Sequence, residues 1–327
     1  MQTQRDEVRA SPDAGSPIPT GFRHEALLYA GSAEFVDQVT RFVVDGLALD
    51  QPVLVAAQAD QLDLVRRSLG ADADRASFLD MGIIGRNPAR VIPAWRQFVA
   101  DHAAPGRQLR GVGEPIWPSR TDAELIECEL HESLLNLAFP ADAPLWLVCP
   151  YDIGALAPAV IDEARANHPF VGRAGVTGAS EDYRPPDAGA PFDGPLPAAP
   201  AAADRQAFDR RSLSSLRRFV AGHGAALGMD AARMGDLVLA ADELATNSVR
   251  YGGGGGMLRL WREGADVVCE VRDVGHIDDR LVGRERPSSE RIGGRGVWLV
   301  NQLCDLVQIR TYRTGNVVRI RMVAPLS

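Results

Sequence analysis

The chain has 327 residues, of which 46% are hydrophobic and 24% are charged, as is typical of a soluble globular protein with room for two domains. Its formal net charge of −8 argues against a broad basic surface, so we expect no nucleic-acid partner. The sequence has neither a signal-peptide pattern nor an apolar run long enough to span a bilayer, so we expect a cytoplasmic protein with no membrane partner.

After a tail at 1–20 that we expect to be disordered, apolar strand-like runs alternate with amphipathic helical patterns. Strands are predicted at 24–30, 52–57, 76–81, 108–113 and 144–150. Helices are predicted at 33–49, 61–69, 88–103, 121–138 and 158–166. This alternation predicts one α/β domain over 21–171, with a mostly parallel sheet covered by helices on both faces.

Four side chains follow the ends of two predicted strands, which is the edge where open α/β sheets usually bind ligands. They are Glu114 and Trp117 after one strand, and Tyr151 and Asp152 after another. We interpret them as the lining of a small-molecule pocket, with ordinary loop packing as the alternative. The turn at 30–33 lacks the Gly-Lys-Ser/Thr of a P-loop, so we expect no nucleotide triphosphatase in this domain.

This domain resembles the MEDS sensory domain. The likeness is carried by the words at 24–29, 113–117 and 147–152, followed by His168-Pro169. It implies a sheet related to RecA-type folds and a role in sensing small molecules such as hydrocarbon derivatives, without naming the ligand. We interpret His24 and His168 as hydrogen-bonded structural residues. The four cysteines are scattered without a Cys-x-x-Cys and are interpreted as reduced core residues.

The composition of 172–203, rich in Pro, Gly and Ala, predicts a semi-rigid linker before a second domain at 204–327. In that domain we predict helices at 204–227, at 233–251 and after position 296. Strands are predicted at 258–261, 267–271, 307–312 and 317–323. We expect the glycine run at 252–256 to end a helix and to hold no regular element. The pattern predicts an α/β sandwich with a mixed or antiparallel sheet.

Glu243 and Asn247 are four residues apart on the predicted helix 233–251, so they share one face, and Arg250 follows three residues later. The amide oxygen of Asn247 can ligate a hard cation such as Mg²⁺. The carboxylate of Glu243 can accept a proton or orient a nucleophile. For this pair alone, a solvated helix face is the simpler interpretation.

Two glycine-containing motifs follow. Asp273 ends a predicted strand, and Gly275 allows close approach beside it, so the carboxylate can accept a hydrogen bond from an amine such as that of adenine. Gly293-Gly294-Arg295-Gly296 opens a predicted helix, where backbone N–H groups can bind phosphate. Taken singly, an ordinary turn and a flexible loop explain these motifs equally well.

In this order the three motifs resemble those of the GHKL (Bergerat-fold) ATPases and kinases. Glu243-x3-Asn247 matches the N box, Asp273-x-Gly275 the first glycine box and Gly293-Gly294-Arg295-Gly296 the second. The words at 243–252 and 293–305 resemble those of RsbW-type anti-sigma-factor serine kinases. That family phosphorylates a serine of an antagonist protein in a network that controls a sigma factor, and these are therefore the partners that the resemblance implies.

The resemblance also implies roles for individual residues, with ATP and Mg²⁺ as cofactors. Asn247 would ligate the metal, Asp273 would bind the adenine amine, and Glu243 would orient or deprotonate the attacking hydroxyl. The remaining cofactor-binding positions would surround the nucleotide and its phosphates: Arg250, Gly275, Gly293, Gly294, Arg295 and Gly296.

Other functions stay open at this point. A sensor histidine kinase needs a phospho-acceptor histidine in a helical hairpin, but His223 stands between two glycines. A gyrase- or chaperone-like ATPase would need a lysine from a following domain, which we do not expect. A catalytically weak module that sequesters its partner is the third alternative, because Ile277 and Asn316 depart from the family pattern. Homodimerisation is left open.

Overall fold

A computed structural model of the chain describes residues 21–186, 194–287 and 295–324. Its first sheet has seven strands in the order β3-β2-β4-β5-β1-β6-β7. The strands are β1 Arg23–Tyr29, β2 Val53–Ala57, β3 Ser77–Asp80, β4 Leu109–Gly113, β5 Leu145–Asp152, β6 Phe170–Arg173 and β7 Val176–Ala179. Neighbouring strands are parallel except for β6 and β7. The predicted, mostly parallel sheet is confirmed.

Helices cover this sheet on both faces, as predicted. They are α1 Gly31–Ala48, α2 Ala59–Leu69, α3 Met81–Ile84, α4 Val91–His102, α5 Asp122–Ala138 and α6 Pro158–Asn167, with short 3-10 helices at Gly70–Arg75 and Pro88–Arg90. Successive strand side chains point to opposite faces and enter two separate apolar clusters. One cluster contains Trp95 and Leu134, and the other contains Phe35 and Val65.

The second sheet has five strands, all antiparallel to their neighbours, in the order β11-β12-β10-β9-β8. Its strands are β8 Asp204–Asp209, β9 Gly255–Glu263, β10 Asp266–Asp273, β11 Leu306–Tyr312 and β12 Gly315–Val323. Its helices are α7 Leu213–Ala226, α8 Ala231–Tyr251 and α9 Arg295–Leu303. All three helices contribute to the core on one face of this sheet, where Leu216, Leu237, Val300 and Ile320 are buried. The predicted α/β class is confirmed.

Two local predictions in this domain were wrong. Only the later part of the helix predicted at 204–227 forms, from Leu213 onward. Residues 204–209 are a strand that pairs with β9, and Phe208 is buried in the core. The glycine run also enters the sheet, since Gly255 and Gly256 belong to β9. A Cβ at Gly255 would lie 2.3 Å from the carbonyl oxygen of Phe208, so only glycine permits this close pairing.

The composition of 172–203 gave no sign of the hairpin that adds β7 to the first sheet. Ala174 and Gly175 form its turn with φ of 51° and 81°. Further along, the chain lies against the second sheet, because the carbonyl oxygens of Gly194 and Pro197 accept hydrogen bonds from Arg310 and Arg319.

The two domains contact each other at the C-terminal end of α9. The guanidinium of Arg90 donates to the carbonyl oxygens of Asn301 (2.6 Å), Gln302 (2.7 Å) and Cys304 (2.7 Å). The last carbonyls of a helix have no partner within that helix, so a side chain from the first domain caps this end. Asn87, which is fully buried, also donates to the Asn301 carbonyl at 3.1 Å.

A second contact joins α5 to β11 and to the segment after β10. Glu127 accepts a hydrogen bond from Arg310 at 2.8 Å and lies 3.8 Å from a guanidinium nitrogen of Arg284. All three side chains are almost completely buried, and burial lowers the pKa of Arg284 to about 10. Arg96 on α4 pairs with Glu285 in the same segment.

Among the described residues, no helix is both long and apolar enough to cross a membrane.

Candidate functional site

Helix α8 positions the first pair of candidate residues. Asp230 caps its N-terminus by accepting a hydrogen bond from the backbone of Arg233. The helix buries an apolar stripe that includes Leu244, which leaves Glu243 and Asn247 half-buried beside that stripe. Arg250 lies further along and is exposed.

Gly296, in the first turn of α9, lies against both of these side chains. A Cβ at this position would be 2.8 Å from Oε2 of Glu243 and 3.0 Å from Nδ2 of Asn247. The structure therefore brings the carboxylate, the amide and Gly296 together, although Gly296 is far from the other two in the sequence. Gly293 and Gly294 fall outside the described residues. Arg295 is exposed at the first position of the helix.

Asp273 lies at the end of β10 and is held by three donors. The hydroxyl of Ser248 donates to Oδ2 at 2.6 Å, and the backbone of Gly275 and the amide of Asn316 donate to Oδ1 at 2.9 and 3.0 Å. A carboxylate oxygen accepts about two hydrogen bonds, so Oδ2 retains capacity for one more donor. A Cβ at Gly252 would lie 2.5 Å from this oxygen, so glycine there keeps the space open.

Sequence reasoning missed Ser248, Thr311 and His276, which also belong to this network. Ser248 follows Asn247 directly, and its position one turn before the end of α8 aims it at Asp273. Thr311 donates to Oδ1 of Asn316 at 2.8 Å and contacts Nδ1 of His276 at 2.9 Å. Thr311 stands opposite Asn316 across the β11–β12 hairpin, so its part in the network depends on strand register, which no spacing along one element reveals.

These groups suit a magnesium-bound triphosphate. Mg²⁺ usually takes one or two protein oxygens and completes its coordination with water and phosphate, so the amide oxygen of Asn247 is a sufficient ligand. The space that a Cβ at Gly296 would fill lies beside Glu243 and Asn247, where backbone can approach phosphate closely. Oδ2 of Asp273 can accept from an amine. The residues present therefore fit ATP and Mg²⁺.

A cavity of about 490 Å³ lies next to this network, between the two domains. Glu127 and Leu130 of α5 form one wall, and Thr311 and Tyr312 of β11 form another. The segment His276–Arg280 also lines it. The cavity is not lined by Glu243, Asn247 or Asp273, so it adjoins the candidate nucleotide site without containing it.

The structure brings Glu114 and Asp152, two of the four residues predicted to line a pocket in the first domain, near each other. It packs the other two, Trp117 and Tyr151, against different side chains. Glu114 is buried and accepts a hydrogen bond from Tyr29 at 2.9 Å. The Asp152 carboxylate is close enough to raise the pKa of both Glu114 and Tyr29. Burial raises the pKa of Glu114 to about 7. Trp117 stacks under the guanidinium of Arg120 at 3.6 Å, and Tyr151 is buried with its ring roughly perpendicular to that of His168.

Comparison with known families bears on both halves of the chain. Residues 23–169 match the family model for MEDS, the MEthanogen/methylotroph, DcmR Sensory domain. Residues 207–322 match the model for the histidine kinase-like ATPase domain. A search of curated proteins gave no significant match. The second match includes Glu243, Asn247, Asp273 and Gly296.

Proposed function

We propose that this chain, in which a MEDS domain precedes a histidine kinase-like ATPase domain, is a serine kinase that phosphorylates an antagonist protein and so regulates a sigma factor. One observation carries the proposal most directly. A Cβ at Gly296 would lie 2.8 Å from Glu243 and 3.0 Å from Asn247, so a phosphate-binding backbone would stand beside a carboxylate and a metal ligand.

When bound, Mg-ATP supplies the phosphoryl group to be transferred. Asn247 would hold the ion through its amide oxygen, and Asp273 would accept a hydrogen bond from the adenine amine through Oδ2. Glu243 accepts the proton of the attacking serine hydroxyl or orients it. Phosphoryl transfer needs mainly positioning and charge neutralisation, and Arg295 and Arg250 are the cations that we assign to the second task.

The first domain regulates this activity through its contacts with β11, with the end of α9 and with the segment that follows Asp273. Three contacts support regulation: Glu127 with Arg284 and Arg310, Arg96 with Glu285, and the capping of α9 by Arg90. The second glycine box opens α9, and Arg90 holds the other end of the same helix. A small ligand of the MEDS domain that shifts α5 or Arg90 would therefore change the nucleotide site.

The test uses the full chain, radiolabelled ATP and candidate antagonist proteins. Label on a serine of a partner supports the proposal, and we expect Glu243→Gln to abolish labelling while it retains nucleotide. Asn247→Ala is expected to lose Mg-ATP binding. The matched control is Asp242→Asn, because Asp242 is the adjacent carboxylate on α8 and pairs with Arg217 instead.

Other outcomes would contradict the proposal in distinct ways. Label on His223 would indicate a histidine kinase, and release of free phosphate without labelled protein would indicate an ATPase. A stable complex with a partner and no turnover would indicate a sequestering module. Tight Mg-ATP binding by Asn247→Ala would show that the nucleotide binds elsewhere.

A further inference from the structure

Four side chains with metal-binding atoms meet inside the MEDS domain, away from the nucleotide site. They are His24 on β1, Glu132 on α5, Cys149 on β5 and His168 just after α6, and each is at most 1% exposed. Their candidate ligand atoms all lie within 4.8 Å of one another. We propose that this cluster is a closed binding site for a divalent ion of the zinc class.

The distances within the cluster are close to those of a tetrahedral site, and two of the three given below are slightly shorter than ideal. Ligand atoms bound about 2.0 to 2.3 Å from a tetrahedral ion lie about 3.3 to 3.8 Å from one another. Nε2 of His24 is 3.0 Å from Oε2 of Glu132 and 3.4 Å from Sγ of Cys149, and Nε2 of His168 is 3.2 Å from the same carboxylate oxygen. Small shifts would accommodate an ion at the centre.

The outer partners of the two histidines make both Nε2 atoms available as ligands. Nδ1 of His168 lies 2.7 Å from the carbonyl oxygen of Ala164, so it must carry the proton and donate. Nδ1 of His24 lies 3.1 Å from Oδ1 of Asn136. The amide nitrogen of Asn136 donates to the carbonyl of Asn167 at 2.8 Å, which fixes Oδ1 toward His24. Such partners are typical of metal-ligating histidines.

With those tautomers, the interior of the cluster contains acceptors that face one another. Two imidazole Nε2 lone pairs and a carboxylate oxygen meet at 3.0 to 3.2 Å. Among the described residues, Nε2 of His168 and Oε1 of Glu132 have no hydrogen-bond partner. A divalent cation satisfies all of them at once, and with the carboxylate and a Cys149 thiolate it gives a neutral buried site.

The ligand set points to the chemical class of the ion. Two imidazoles, one carboxylate and one thiolate suit Zn²⁺, whereas Mg²⁺ and Ca²⁺ prefer oxygen ligands alone. Four protein ligands and complete burial leave no open position for substrate, so the ion would be structural and would join β1, α5, β5 and the segment after α6.

The experiment adds Co²⁺ or Zn²⁺ to the full chain after removal of metal with a chelator. We expect one Co²⁺ per chain, the intense visible absorption of a tetrahedral site and a thiolate-to-cobalt band. We also expect the melting temperature to fall on chelation and to recover with Zn²⁺. A wild-type chain that binds no stoichiometric metal and keeps its melting temperature would overturn the proposal, whatever the variants do.

Variants identify the ligands. Cys149→Ser and His168→Gln should weaken Co²⁺ binding by more than about tenfold, and Cys149→Ser should abolish the thiolate band. Cys128→Ser is the matched control, because Cys128 is also buried in this domain but bonds the carbonyl of Pro115. Asn136→Ala should cost about 10- to 100-fold as an outer partner. An unchanged thiolate band in Cys149→Ser would place the ion elsewhere and overturn the assignment.

Discussion

At the scale of single residues, Gly296 is a position in the candidate nucleotide site where added volume would meet two of the proposed functional side chains. We expect Gly296→Ala to weaken Mg-ATP binding by at least about tenfold, because the new methyl would meet Glu243 and Asn247 at 2.8 and 3.0 Å. Calorimetric titration with a non-hydrolysable ATP analogue measures the change.

Gly235 provides the matched control for that substitution. It lies within α8, and a Cβ there would meet nothing within 4 Å. Gly235→Ala should leave the affinity for nucleotide unchanged and stabilise the helix by up to about 1 kcal/mol. Equal losses of affinity in the two variants would show that Gly296 has no special place in the site.

Glu114 gives a prediction of pH dependence. Its pKa is raised from 4.5 to about 7 by burial, so as the pH rises the unfolded chain loses this proton before the folded chain does. The free energy of unfolding should therefore fall between about pH 4.5 and 7, by up to about 3 kcal/mol from this group. Glu114→Gln should reduce that slope in denaturant titrations measured across this range.

A second variant tests the cause of the shift. The hydrogen bond from Tyr29 favours the ionised form of Glu114 and so limits the rise of its pKa. Tyr29→Phe should raise the pKa further and extend the fall in stability to higher pH. If Glu114→Gln leaves the pH profile unchanged, this carboxyl is not protonated in the folded chain.

The family resemblance singled out Glu243, Asn247 and Asp273 as candidates, because it fixes their order and approximate separation. It did not identify Ser248 or Thr311, since their roles depend on where α8 ends and on the register of the β11–β12 hairpin. A contact that is fixed by strand register is not visible as a spacing along one element.

At the scale of elements, the segment 204–227 shows why local pattern misled the prediction. Phe208 and Leu216 are both buried, so one helix seemed to explain them. A turn separates them instead, in which the side chain of Asp209 accepts hydrogen bonds from the backbone of Arg211 and Ser212. Such local bonding competes with helix, and the glycines of β9 then allow β8 to pair.

The end of α9 gives the prediction for this scale. Arg90→Ala removes three charge-assisted hydrogen bonds to the last carbonyls of the helix. We expect the free energy of unfolding to fall by about 2 to 4 kcal/mol, and the amides of α9 to exchange faster with solvent. Denaturant titration and hydrogen exchange measure the two effects.

Arg86 is the control at the same end of α9. It pairs with Asp305 at 3.3 Å, but its side chain is 54% exposed. Arg86→Ala should therefore cost less than about 1 kcal/mol. A loss as large as that of Arg90→Ala would mean that general electrostatics, rather than capping of the carbonyls, stabilises this contact.

At the scale of the whole molecule, Glu127 links the two domains. Glu127→Gln leaves Arg284 and Arg310 without their buried carboxylate, so we expect a loss of about 3 to 5 kcal/mol. The described part of the segment that follows Asp273 should also exchange its amides faster, since its anchor to α5 is weakened. Hydrogen exchange followed by mass spectrometry locates the effect.

Glu129→Gln on the same helix is the comparison. Its neighbouring charge is Glu163 of the first domain, and burial raises its pKa to about 7. Its replacement should leave hydrogen exchange in 276–287 unchanged. Faster exchange there in both variants would show that α5 itself had loosened and that Glu127 has no specific effect.

The contact between the domains could not be predicted from the sequence. The alternation of strands and helices indicated two α/β units, and the structure confirms both sheets. The pairing of Glu127 with Arg310 joins residues 183 positions apart, and neither residue stands out from the other charges by its spacing. The packing of the two folded domains against each other decides which of these charged residues come into contact.

Helix α5 carries one residue of the buried cluster and one residue of the contact between the domains. Glu132 belongs to the buried cluster. Glu127, about 7.5 Å earlier along the helix axis, contacts Arg284 and Arg310 of the second domain. A packed helix moves as a rigid rod over so short a span. Loss of an ion from the cluster would thus loosen the contact of Glu127 with Arg284 and Arg310, so the proposed structural ion would also stabilise the joint between the domains.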